Sequence, residues 1–264
     1  MSIEGSVNRP WRKQLESGKS AEAYYLRARH AWRRRIRTSL AVVVGFGFSL
    51  GILAWLYYPR FGHLLGPYFA GAATGVAAWI WDDPPEYIAK WKRGADGEHQ
   101  TEKALKGLVT LGWHAFHDRQ GKRGNLDHIV VGPGGVFLLD SKNLSGSITL
   151  ESGGLTRQLK DAELDAFTYT RLESKVLSAA AHLKEQLEMQ TSLSLWVQAL
   201  VVVWGEFAAE PTEQNRVVYV RGDELRAWLA RRPNRLSLRD QRLIELAVQA
   251  ELVAPPFVAP EPAV

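Results

Sequence analysis

Ser39 to Tyr58 carries no charged residue: SLAVVVGFGFSLGILAWLYY. A helix needs about 20 mostly apolar residues to cross a bilayer, so a run like this belongs in lipid or in a very apolar core. Pro59 to His63 interrupts it, and Leu64 to Trp81 (LLGPYFAGAATGVAAWIW) is again uncharged. The pair reads as a transmembrane helical hairpin, with passes at about 39–58 and 64–81 in a segment 39–82. Trp55, Tyr57, Tyr58, Trp79 and Trp81 lie near the ends, as in an interfacial belt. Gly47/Gly51 and Gly71/Gly75 are small pairs that let helices approach closely. The alternative is a buried hairpin in a soluble protein. A cleaved signal peptide does not fit an apolar run that begins near residue 40.

Charge sets the orientation. Residues 1–38 hold ten basic side chains against Glu4, Glu16 and Glu22, a surplus of seven where the whole chain has only +5. Lys90, Lys92 and Arg93 follow the second run, whereas the turn between the runs has only Arg60. The positive-inside rule therefore predicts a multi-pass cell-membrane protein with both termini cytoplasmic. Glu22 to Arg37 reads either as a basic amphipathic helix on the inner leaflet, anchored by Tyr24, Tyr25 and Trp32, or as plain orienting charge. Because the surplus is confined to this segment, the basic balance does not argue that the rest of the chain binds nucleic acid. With no cysteine, disulfides and thiolate metal sites are excluded.

The remainder divides into a linker at 83–93, one globular domain at 94–252 and a Pro-rich tail at 253–264, expected to be disordered. Helical spacing of Glu98, Thr101, Ala104, Leu105 and Leu108 predicts a helix over 97–111, stopped by Gly112. A strand over 113–118 follows. Two apolar runs, 126–131 and 136–143, flank Gly132-Pro133-Gly134-Gly135, the signature of a hairpin. Strands are predicted at 147–151, 155–159, 195–204 and 217–220, and helices at 166–189, 223–231 and 238–252. This is an α/β fold, a mixed sheet flanked by helices.

Asp140 and Lys142 are two apart on a predicted strand, so both project from one face. Asp127 begins the preceding strand, opposite the end where Asp140 sits, and the two carboxylates can converge on a cation. Hard cations such as Mg²⁺ take oxygen ligands of this kind. A nearby lysine can orient water and offset charge on a phosphoryl group. Glu98 can add a third carboxylate. The plain alternative is a capping aspartate and an edge-strand lysine.

Gly94-x-x-Gly97-Glu98, then Leu126-Asp127-His128-Ile129-Val130-Val131-Gly132-Pro133-x-Gly135-Val136-Phe137, then Asp140-x-Lys142-Asn143 and Gly146 together resemble the nuclease-related domain (NERD) family of the PD-(D/E)xK nuclease superfamily. The likeness covers about 94–160 and runs more loosely to 252. It implies a restriction-endonuclease-like sheet, a bacterial source and metal-dependent hydrolysis of DNA or RNA. It also implies Glu98, Asp127, Asp140 and Lys142 as the catalytic set, and Glu98, Asp127 and Asp140 as ligands of Mg²⁺ or Mn²⁺. Two departures stand out. Asp140 occupies a position where the family usually has Glu, and Leu172 to Ser178 lacks the Asn-Pro and Gln often found there.

Other side chains are weaker candidates. His128 should face the other side of its strand. His114, His117 and Asp118 share a strand and form a possible metal group. Trp196 and Trp204 read as core, and Arg157, Lys160 and Arg171 as a solvated face or a phosphate contact. The expected partners are nucleic acid and the lipid bilayer. The competing function is a non-catalytic nucleic-acid-binding or protein-interaction module tethered to the membrane, and a membrane assembly factor is the third reading.

Overall fold

A computed structural model describes residues 19–251, apart from 59, 122–123 and 160–165. Residues 1–18 of the basic N-terminal segment, Lys160 and the Pro-rich tail lie outside the described residues. The chain divides into two compact units, one from Glu22 to Lys92 and one from Arg93 onward.

The first unit holds α1 (Lys19–Tyr57) and α2 (Gly62–Asp82). Among the described residues one helix, Ala21–Tyr57, is long and apolar enough to cross a membrane. Its large apolar side chains stay exposed, Phe46 at 65% and Ile52 at 58%. α2 covers the second uncharged run, but its Gly- and Ala-rich composition leaves it short of the same criterion. The helices meet through small residues. A Cβ on Gly47 would strike Ala73, and one on Gly51 would come within 2.8 Å of the Gly66 carbonyl oxygen. The small pair expected on α2, Gly71/Gly75, is open on that side, with nothing within 4 Å. Gly66 and Ala73 make the contact instead, being seven residues apart and so on one helical stripe. Arg29 and Arg33 both reach Asp82, at 3.1 and 3.6 Å.

The expected linker at 83–93 is largely helical. α3 runs Glu86–Lys106, and the amides of Ile88 and Ala89 bond the Pro85 carbonyl as its first turn forms. A 3₁₀ turn, Val109–Leu111, ends at Gly112 with φ +78°.

The second unit is built on one eight-stranded mixed sheet. Its strands are β1 (His114–Gly121), β2 (Gly124–Gly132), β3 (Gly135–Glu151), β4 (Gly154–Gln158), β5 (Ala166–Thr168), β6 (Val197–Phe207), β7 (Thr212–Gln214) and β8 (Val217–Arg221). The main order is β1-β2-β3-β6-β8-β7, while β4 pairs with β3 and β5. β1, β2 and β3 are antiparallel neighbours, whereas β3, β6 and β8 run parallel. The expected hairpin forms at Gly132↔Gly135. Alternation then sends Ile129, Val131, Val136 and Leu138 into one core and Val130, Phe137 and Leu139 into the other. β6 is apolar on both faces because it is central and covered on both.

The first core is closed by α4 (Leu172–Thr191) and α6 (Leu238–Glu251), the second by the end of α3 and by α5 (Leu225–Ala230). Two expected strands, 136–143 and 147–151, are one bent strand. A bulge between Asn143 and Ser147 bends it, at Gly146 with φ +89°. The helix expected from 166 starts at Leu172, because Ala166–Thr168 is taken up by pairing with β4.

Candidate active site

The ladder between β2 and β3 ends at His128↔Leu139, so Asp127 and Asp140 are the next residues on each strand. Asp127 shares a face with Ile129 and Val131, and Asp140 shares that same face with Val136 and Leu138. Lys142, two further on, belongs to it too. The Lys142 ammonium pairs with Asp140 Oδ2. Asp127 Oδ2 accepts the backbone N–H of Ser141 at 3.1 Å.

α4 packs over this face and brings a residue that sequence reasoning passed over. Lys175 Nζ lies 3.7 Å from Asp140 Oδ1. Its turn of helix is pinned by Glu173, which accepts hydrogen bonds from Tyr219 (3.0 Å), Gln214 (3.1 Å) and Asn215 (2.7 Å). The available signal was local: Lys175 is in the first turn of the helix whose apolar stripe covers Asp140's face.

Glu98 comes from α3, which is seated tightly on β3. A Cβ on Gly97 would lie 2.8 Å from Asn143 Cβ, so only glycine lets the helix approach so closely. Asn143 Nδ2 then donates to the Arg93 carbonyl at 3.2 Å. These contacts give Gly97 and Asn143 of the sequence motif their physical role.

The acids are forced into unequal states. Burial pushes the Glu98 carboxyl up to about 9, helped by the negative charges of Asp127, Asp118 and Asp140. Burial and Asp140 raise Asp127 to about 6, against the pull of Lys142 and the Ser141 N–H. Burial alone would lower the Lys142 ammonium, but Asp140 and Asp127 outweigh it and hold it above its ordinary value. Glu98 is therefore a neutral acid at pH 7, and its buried Oε2 has no hydrogen-bond partner.

The donors suit a hard cation. Two facing carboxylates, plus a third that can lose its proton, are the ligand type that Mg²⁺ or Mn²⁺ takes together with water. Among the described residues no three His, Asp or Glu side chains stand ready as one metal group. In this state the Lys142 ammonium is engaged with Asp140, and burial favours the protonated form of Glu98.

The other candidates separate. His128 is fully buried on the opposite face, as expected, bonded to His117 (Nδ1 to Nδ1, 2.7 Å). Burial lowers His117 to about 4 and His128 well below its ordinary value. His114, His117 and Asp118 share no site: His114 pairs with Glu245, His117 with His128, and Asp118 accepts from Asn125. Trp204 is half-buried, but Trp196, expected in the core, is 52% exposed because it lies just before the buried strand begins. Arg157 donates to the backbone oxygen and hydroxyl of Ser145, bracing the bulge after Lys142, and Arg171 is exposed.

Residues 93–204 match the family model described as the nuclease-related domain, NERD, a stretch that contains Glu98, Asp127, Asp140 and Lys142. No curated protein and no solved structure matches the chain.

The raised acids fix a pH signature. A carboxyl whose folded pKa exceeds its unfolded value favours folding at low pH, and that advantage is lost as pH rises through the folded pKa. For Glu98 the window runs from 4.5 to about 9. With chelator present, wild-type melting temperature should fall across this range. Glu98→Gln should flatten the slope, moving the difference by about 5 °C or more in the variant's favour. Parallel melting curves would show that Glu98 does not hold its proton.

Proposed function

Taking residues 93–204 as a nuclease-related domain, we propose that the chain is a membrane-anchored, metal-dependent phosphodiesterase that hydrolyses DNA or RNA at the cytoplasmic face. Its scaffold is a restriction-endonuclease-like sheet. One observation carries this reading: Asp127, Asp140 and Lys142 share one face at the end of β2 and β3, with Glu98 close enough to feel all three. Asp127 and Asp140 would hold Mg²⁺ or Mn²⁺, and Glu98 would join them on losing its proton to solvent. Such a cation supplies Lewis acidity toward a phosphoryl oxygen and acidifies water.

The protein's own groups do the rest. Lys142, beside Asp140, would orient water and offset charge developing on the phosphate. Lys175, exposed at the rim, is placed to meet the incoming phosphate backbone. The buried acids and the closed core behind them keep the electrostatics strong.

Full-length protein in detergent should nick plasmid or degrade single strands with Mg²⁺ or Mn²⁺ and not with chelator. Lys142→Ala should lose about a hundredfold or more of that rate. Equal rates in wild type and variant would refute catalysis by this site.

The second reading, a non-catalytic nucleic-acid-binding or interaction module, is favoured by the Lys142–Asp140 pair and by the lack of a ready three-residue metal group among the described residues. Metal-independent binding that weakens steeply with salt, without cleavage, is its outcome in the same assay.

The anchor reading takes α1 as one pass and α2 as a return pass, leaving both termini cytoplasmic. The exposed apolar side chains of α1 support it, as does the bonding of its basic end to Asp82 at the end of α2. With no native cysteine, single introduced ones report topology cleanly. A membrane-impermeant maleimide should label His63→Cys in intact cells, and Gln190→Cys only after permeabilisation. Labelling of Gln190→Cys from outside would contradict the topology.

A further inference from the structure

On the sheet face away from Asp140, five side chains form one hydrogen-bonded line, four of them buried and the fifth, Trp204, half-buried. His117 of β1 and His128 of β2 are register partners, with Nδ1 atoms 2.7 Å apart. His128 Nε2 is 3.1 Å from Ser141 Oγ on β3. Ser141 Oγ is 2.8 Å from Thr101 Oγ1 on α3. Thr101 Oγ1 also accepts Trp204 Nε1–H from β6 at 2.8 Å and reaches the Gly97 carbonyl at 3.0 Å. The line crosses five elements, and His128 and Thr101 are wholly enclosed.

Donor accounting gives this line one direction. A carbonyl only accepts, so the single Thr101 proton goes to Gly97. An indole only donates, so Trp204 fills one lone pair of Thr101. Thr101 has no proton left for Ser141, and Ser141 must therefore donate to Thr101. Ser141 then accepts from His128, which carries its proton on Nε2. Among the described residues neither ring is hydrogen-bonded to a carboxylate, and a buried unpaired imidazolium is costly. A neutral His128 leaves Nδ1 as a lone pair, and His117 must donate from Nδ1. The order is His117, His128, Ser141, Thr101, Gly97.

The line passes directly behind the acids. Ser141 separates Asp140 from Lys142, and its N–H holds Asp127. Thr101 is one helical turn from Glu98. The Ser141–Thr101 bond thus ties the strand bearing Asp140 and Lys142 to the helix bearing Glu98.

We propose that Thr101 and Ser141 are positioning residues that set Glu98 against Asp127 and Asp140, and so the affinity of these acids for a divalent cation, with His128 and His117 locking the bond in one direction. The affinity part rests on the cation reading above.

The test uses full-length protein in detergent. Mn²⁺ binding is measured by calorimetry for wild type, Thr101→Val (same shape, no hydroxyl) and Thr101→Ser (hydroxyl kept). Histidine tautomers are read from nitrogen-15 spectra of the wild type. Thr101→Val should bind Mn²⁺ about tenfold or more weakly, as outer-shell changes commonly do, and Thr101→Ser within about twofold of wild type. Ser141→Ala breaks the same bond from the strand side and is read in the same way if Thr101→Val does not fold. The spectra should show Nε2–H on His128 and Nδ1–H on His117.

Wild-type affinity in folded Thr101→Val overturns the positioning role. An Nδ1–H tautomer on His128 overturns the proton order. If wild type binds no Mn²⁺, the cation reading falls and takes the affinity claim with it, while the tautomers still decide the order.

Discussion

Two carboxylates face each other across the end of a hairpin, enclosed, with one ammonium beside them. Like charges about 4 Å apart repel by roughly 4 kcal/mol at the effective dielectric of a protein surface. The Lys142 attraction is of the same size, so one lysine can balance one excess charge and no more. A third acid, Glu98, brought into that field by α3 cannot also ionise, and it keeps its proton to about 9. Lys175 at the rim is only a partial remedy because water screens it. The state seen here is thus held by a proton and two lysines.

The scaffold is stiff where this conflict has to be contained. Asp127 and Asp140 follow directly on a ladder whose residues are buried on both faces. Behind them, Gly97 against Asn143 and Thr101 against Ser141 hold α3 to β3. An acid cluster on a loop would relieve its repulsion by moving apart. Here the backbone does not allow it, and the strain appears as shifted protonation.

Much of this was legible in the chain because it is local. The Gly132–Gly135 turn, the alternation either side of it and the all-apolar β6 name the hairpin and the central strand directly. Alternation also puts Asp140 and Lys142 on one face. What could not be read depends on distant pairing. Ala166–Thr168 has a helical pattern but is captured by β4. Residues 83–93 look like a linker, yet Pro85 caps a helix. Trp196 is apolar enough for a core but falls one residue before the covered strand. Lys175 meets Asp140 only because α4 crosses β3, and Thr101 and Ser141, 40 residues apart, carry no mark of their bond. In the first unit, composition located the apolar helix, but only packing shows that Gly66 and Ala73, not Gly71 and Gly75, meet α1.

The claim that these acids form a cation site is tested most directly by anomalous diffraction from crystals soaked in Mn²⁺. The account predicts one manganese peak within about 2.5 Å of carboxylate oxygens of both Asp127 and Asp140, with the Lys142 ammonium moved off Asp140. An unchanged Lys142–Asp140 pair with no manganese between the two aspartates would contradict it.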